Sequence, residues 1–143
     1  MSESMKKPKL LILVPSGMPQ AEAEALRTES QARLEKELGS SIECELSSHW
    51  WSAQFERAGS WDSWIWETVT GKSFNTRGPH FDGFVVCTEQ LGKANAGIVG
   101  LALKQKRSVL ACRNGLPFGA VRSVVVDDPD DWKNGWHVVV HEL

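Results

Sequence analysis

Apolar positions along this chain change their spacing in a regular order. Residues 9–15, KLLILVP, form a short continuous apolar run closed by Pro15, Ser16 and Gly17. Such a run is the pattern of a strand buried on both faces, and it predicts the central strand of a sheet. From Met18 to Leu38 the period lengthens: Leu26, Leu34 and Leu38 recur at multiples of four with Ser30 in the gap, while Glu22, Glu24, Glu29, Glu35 and Glu37 cover other faces. This predicts an amphipathic helix closed by Gly39. Residues 41–48, SIECELSS, then alternate apolar and polar and suit a strand nearer an edge.

The second half repeats the alternation. In HWWSAQFERAGSWDSWIWETVTG, Trp61, Trp64, Ile65 and Thr68 fall on one helical face, and Gly71 can end the helix. Lys72 to Phe81 has Gly78 and Pro79 and no period, and reads as a loop. FDGFVVCT, SVLACR and AVRSVVVDD predict three further strands, with a helix from Gly92 to Lys106 between the first two, and Asn134-Gly135 predicts a turn into a last strand. Strands alternating with helices imply an α/β fold: a flavodoxin-like or Rossmann-like, doubly wound, mostly parallel sheet of about five strands. Helices are expected on both faces, and a C-terminal hairpin on one edge. Residues 1–8 read as a flexible N-terminal segment and 9–143 as one domain.

Composition narrows the class. With 143 residues, 41% of them hydrophobic, the chain can bury one core. Sixteen Lys and Arg against eighteen Asp and Glu give a net charge of -2, a poor match to a nucleic-acid polymer. No apolar run approaches the roughly 20 residues of a membrane span, and MSESMKKPK lacks the apolar run and small-residue cleavage site of an exported protein. A cytoplasmic protein is expected. Cys44, Cys87 and Cys112 fall in apolar runs without C-x-x-C spacing and read as buried reduced thiols.

In an open α/β sheet, ligands bind beyond the carboxyl ends of the strands, where the strand order reverses. That rule gathers Ser16 and Gly17 after the first strand, His49, Trp50 and Trp51 after the second, and Glu89, Gly92, Lys93 and Asn95 after the third. A helix entrance at Gly92 offers unsatisfied N–H groups and the positive end of the helix dipole to a phosphate or carboxylate, and Lys93 adds a full charge. The alternative is a capped helix start with no ligand. Neither a P-loop nor a G-x-G-x-x-G fingerprint is present. Glu89 is the carboxylate best placed to act as acid or base, with a solvated loop residue as its other reading, and His49 can bond a ligand or serve the fold.

Five of the seven tryptophans lie between Trp50 and Trp66. Part of this cluster fills the core; the rest is expected to stack on a base or sugar or to form an oligomer interface. His137 and His141, four residues apart on one strand, stand about 13 Å apart and cannot chelate one metal alone, so neither metal nor cofactor is expected. The acidic run Asp127 to Asp131 reads as a solvated turn.

LLILVPSGMP, DGFVVC and above all GLALKQKRSVLAC resemble the nucleoside 2-deoxyribosyltransferase-like superfamily, including its small phage and bacterial members. The last segment is similar to that group's G-x-A-x-x-x-G-K-x-V pattern, and the likeness covers about two thirds of the chain in pattern. It implies a nucleoside or nucleotide in the cleft and a nucleophilic glutamate two residues before the first glycine. Here that glycine is Gly100 and the glutamate's place is taken by Ile98, while Lys106 replaces the second glycine. Isoleucine cannot form a glycosyl-enzyme intermediate, so covalent transfer is not expected. The expected function is binding of a nucleoside or nucleotide, with hydrolysis of its N-glycosidic bond by Glu89-activated water if the protein is an enzyme. A non-catalytic nucleotide sensor or protein-interaction module is the alternative, and flavin binding a further one.

Overall fold

The computed structural model describes residues 7–14, 18–47, 69, 72–73, 76–77, 81–87, 91–112, 118–126, 130 and 136–142. Their elements are β1 (Lys9–Leu13), α1 (Gln20–Leu38), β2 (Glu43–Leu46), β3 (Lys72–Ser73), β4 (Thr76–Arg77), β5 (Gly83–Val86), α2 (Gly92–Lys104), β6 (Ser108–Ala111), β7 (Gly119–Val126) and β8 (Trp136–Glu142). Six strands form one mixed sheet in the order β2-β1-β5-β6-β7-β8. β2, β1, β5 and β6 run parallel, whereas β7 is antiparallel to β6 and β8 to β7. The molecule is therefore α/β, with six strands in a mixed sheet where about five, mostly parallel, were expected, and with its last two as an antiparallel hairpin. β3 and β4 pair with each other where the sequence suggested only loop.

Alternation along the central strands divides the core in two. Leu11 and Leu13 of β1, Phe84 and Val86 of β5, Val109 and Ala111 of β6, and Val121 and Val138 pack with Ala96, Ile98, Val99 and Ala102 of α2. Leu10 and Ile12, followed by Val14, face the other way with Val85, Cys44 and Leu46, against Ala23 and Leu34 of α1. β1 and β5 are buried along both faces, which is why their sequences are continuous apolar runs rather than alternating ones. Each fully buried Leu, Ile or Phe among them contributes about 1.5–3 kcal/mol.

On α1 the buried stripe is Ala23, Ser30 and Leu34, with Leu26 partly buried. The expected Leu38 is 44% exposed: it is the last helical residue, and the chain leaves through Gly39 at φ +71°. Glu35 and Gln31 fasten the turn that follows. The Ile42 amide donates to Glu35 Oε2 at 3.0 Å, and Gln31 Nε2 donates to the Ile42 carbonyl at 3.2 Å.

α2 ends in a Schellman motif. The Arg107 amide donates to the Ala102 carbonyl at 2.8 Å, the Lys106 amide to Leu103 at 3.1 Å, and Lys106 takes φ +58°. Lys106 is the position at which the resembled sequence pattern carries its second glycine. A left-handed residue closing a helix is the physical reason for a glycine there.

Candidate functional site

The strand order decides where a site can form. β1 leads through α1 outward to β2, and β5 leads through α2 outward on the other side to β6. The connections diverge between β1 and β5, and at such a divergence ligands sit beyond the carboxyl ends of the strands. Here those ends are Val14 after β1 and Cys87 after β5, with the N-terminus of α2 beside them.

Buried polar contacts tie these ends together. Val14, which is 3% exposed, donates its amide to Ser47 Oγ at 2.9 Å. The Val14 carbonyl accepts from Ser47 Oγ at 3.4 Å and from Asn95 Nδ2 at 3.1 Å. Val14 thus links the end of β2 to the first turn of α2. On the opposite face of the sheet, Ser30 Oγ and Cys87 Sγ share a hydrogen bond at 3.3 Å, and Ser30 Oγ donates to the Cys112 carbonyl at 3.5 Å. Cys112 returns a bond from its thiol to the Ser30 carbonyl at 3.8 Å, and its amide continues the sheet ladder to Val86 at 3.0 Å. The serine in the gap of the helical leucine pattern is therefore the residue that fits α1 over the ends of β5 and β6.

The three cysteines are buried thiols outside any disulfide. Burial raises the Cys44 thiol to about 11; Arg27 opposes the shift, and Glu35 and Glu43 add to it. Burial also raises Cys112, against the pull of Arg33 and the bond from Ser30. Both thiols stay protonated at neutral pH and are poor nucleophiles there.

α2 begins without a side-chain cap: its N-cap is Leu91, and no acidic residue stands in the first turn. Gly92 and Lys93 are its first two residues. Asn95, also in the first turn, is 5% exposed, and its Oδ1 is a buried acceptor with no hydrogen-bond partner. Of the residues expected to line the site, Gly92, Lys93 and Asn95 are therefore brought to the divergence point by α2. Ser16, Gly17, His49, Trp50, Trp51 and Glu89 lie outside the described residues. Ser47, two residues before the His49, Trp50 and Trp51 expected after β2, is the contributor the sequence did not single out. Periodicity gave no signal for it: Ser47 falls on the phase of Glu43 and Glu45, opposite the buried Ile42, Cys44 and Leu46.

Ile98 is fully buried in the core between α2 and the sheet. Gly100 is exposed, and an added Cβ there would meet nothing within 4 Å. Among the described residues no three His, Cys, Asp or Glu are grouped to hold a metal, and no helix is long and apolar enough to cross a membrane. No family model, curated protein or solved structure matches this chain.

Proposed function

We propose that this protein binds a nucleoside or nucleotide at the carboxyl ends of β1 and β5, as a flavodoxin-like, doubly wound relative of the nucleoside 2-deoxyribosyltransferase-like proteins. The observation that carries this reading is the first turn of α2: an uncapped helix entrance beside the divergence point, with the buried polar side chain of Asn95 two residues after Lys93. The backbone N–H groups at Gly92 and the charge of Lys93 suit a phosphate. Ser16 and Gly17 follow β1 and are assigned to the same anion, while Trp50 or Trp51 stacks on the base or sugar and His49 bonds it. Buried thiols outside any disulfide suit a reducing cytoplasm.

The chemistry proposed for such a site is hydrolysis of the N-glycosidic bond. Glu89 takes a proton from water, the water oxygen bonds the anomeric carbon, and the base departs with its bonding electrons. Covalent transfer is not part of the proposal, because Ile98 stands at the nucleophile's place and is enclosed in the core. A second reading, a non-catalytic sensor that also engages a protein partner or its own copy, is favoured by the hairpin, where Val125, Val126 and Val139 are 38%, 40% and 41% exposed.

Incubation with adenosine, inosine, uridine, their 5′-monophosphates and flavin mononucleotide separates these readings. Binding is read from the melting temperature and hydrolysis from free base. Release of base that Glu89→Gln abolishes supports the enzyme; a raised melting temperature without base supports the sensor. A shift with flavin mononucleotide alone transfers the site to flavin, and no shift with any probe overturns the pocket. Lys93→Ala is expected to weaken a monophosphate more than its nucleoside, and equal losses place the phosphate elsewhere.

A further inference from the structure

The unpaired atom at the start of α2 restricts the chemistry of what binds there. Asn95 Nδ2 is held by the Val14 carbonyl at 3.1 Å. This bond fixes the amide's orientation, since the flipped side chain would set its carbonyl against that of Val14. Oδ1 is therefore an acceptor, sealed from water and without a donor. A buried acceptor left in this state carries a desolvation cost that only an incoming N–H or O–H relieves. The uncapped N-terminus of α2, a few atoms away along the same turn, has the opposite preference: its N–H groups and dipole call for an acceptor or an anion.

We infer that Asn95 Oδ1 accepts a hydrogen bond from an uncharged donor on the ligand, a sugar hydroxyl or a base amino group, while the helix entrance takes the anionic or acceptor part. The inference rests on the nucleoside reading above and adds polarity to it. A phosphate oxygen has no proton to offer Oδ1 and is repelled by it, so the phosphate is confined to the helix entrance. Asn95 then acts as a specificity determinant: a ligand lacking the donor leaves Oδ1 buried and unpaired in the complex.

Three probes read this on the wild-type protein by calorimetry: adenosine, 2′,3′-dideoxyadenosine without the ring hydroxyls, and purine riboside without the amino group. One truncated probe is expected to bind about tenfold more weakly than adenosine. Weakening of the dideoxy probe identifies the hydroxyl, and weakening of purine riboside the amine. In Asn95→Leu the difference should collapse. Ser47 Oγ still donates to the Val14 carbonyl in that variant, and circular dichroism checks that it folds. On the wild type, the side-chain amide resonances of Asn95 should shift with adenosine and less with the weaker probe, whether or not the variant folds. Equal binding of all three probes overturns the role of Asn95 and leaves the nucleoside reading standing, as does a difference that persists in Asn95→Leu. Failure of all three and of their monophosphates to bind overturns both.

Discussion

Ser47 Oγ accepts the Val14 amide at 2.9 Å across the carboxyl ends of two neighbouring parallel strands. Val14 lies past the last residue of β1, where the ladder no longer supplies a partner, so a side chain from the end of β2 does. Ser47→Ala leaves a buried N–H unpaired and is expected to cost about 1–3 kcal/mol. Urea denaturation should show a lowered midpoint with an unchanged slope. A loss below about 0.5 kcal/mol would mean that water or another group takes the serine's place.

Lys106 is a non-glycine residue in the left-handed region at the C-terminus of α2. Left-handed backbone costs an L-residue about 1–2 kcal/mol, and glycine's greater freedom in the unfolded chain returns about 0.4–1 kcal/mol of that. Lys106→Gly should therefore stabilise the protein by about 0.5–1 kcal/mol, measurable as a raised melting temperature. Gly39→Ala, at φ +71°, should move stability the other way by about 1 kcal/mol. In the exposed middle of α2, Gly100→Ala meets no steric obstacle and should gain about 0.5–1 kcal/mol in helix propensity.

Gly83 opens β5 between β1 and β6. A Cβ there would lie 3.1 Å from Leu10 Cδ2 and 3.2 Å from the backbone oxygen of Ser108. The leucine methyl can move, whereas the carbonyl belongs to the neighbouring strand. Gly83→Ala should cost about 1–3 kcal/mol through this overpacking. An unchanged melting temperature would show that β6 can shift away.

The Cys44 thiol is raised from 9.0 to about 11 by burial. Its folded pKa lies above its unfolded one, so the unfolded chain loses the proton first as pH rises. The stability linked to this group is whole below pH 9.0 and is lost progressively as pH climbs through about 11. Cys112 shifts in the same direction and adds to the decline. Denaturation midpoints at pH 7.5, 9 and 10.5 should fall in that order, and Cys44→Ser should flatten the decline. At pH 7.5 iodoacetamide should label Cys44 and Cys112 only as fast as the protein opens.

The periodicity of the sequence determined what depends on local spacing. A continuous apolar run marked β1 as a strand buried on both faces, and FDGFVVCT marked β5 as a further strand. The four-residue spacing through Ser30 and Leu34 marked α1, and the glycine after Leu38 its end. Burial of the three cysteines followed from the runs around them. The α/β class came with the order of the elements, because alternating strand and helix patterns admit few arrangements.

Tertiary structure decided what depends on contacts between distant residues. Strand order and the antiparallel sense of β7 and β8 arise from pairings that no single segment encodes, such as Leu110 beside Ala120 and Val138 beside Val124. Ser30 could be read only as a gap in a leucine pattern; its meaning lies in Cys87 and Cys112, 57 and 82 residues away. Ser47 was an ordinary polar residue and Asn95 one of several candidates after β5 until both met Val14, 33 and 81 residues away in the chain. Spacing records which face a side chain takes, because helix and strand repeat locally. Whether a buried polar atom finds a partner depends on which strand ends the fold brings together, and that is settled when the sheet closes around them.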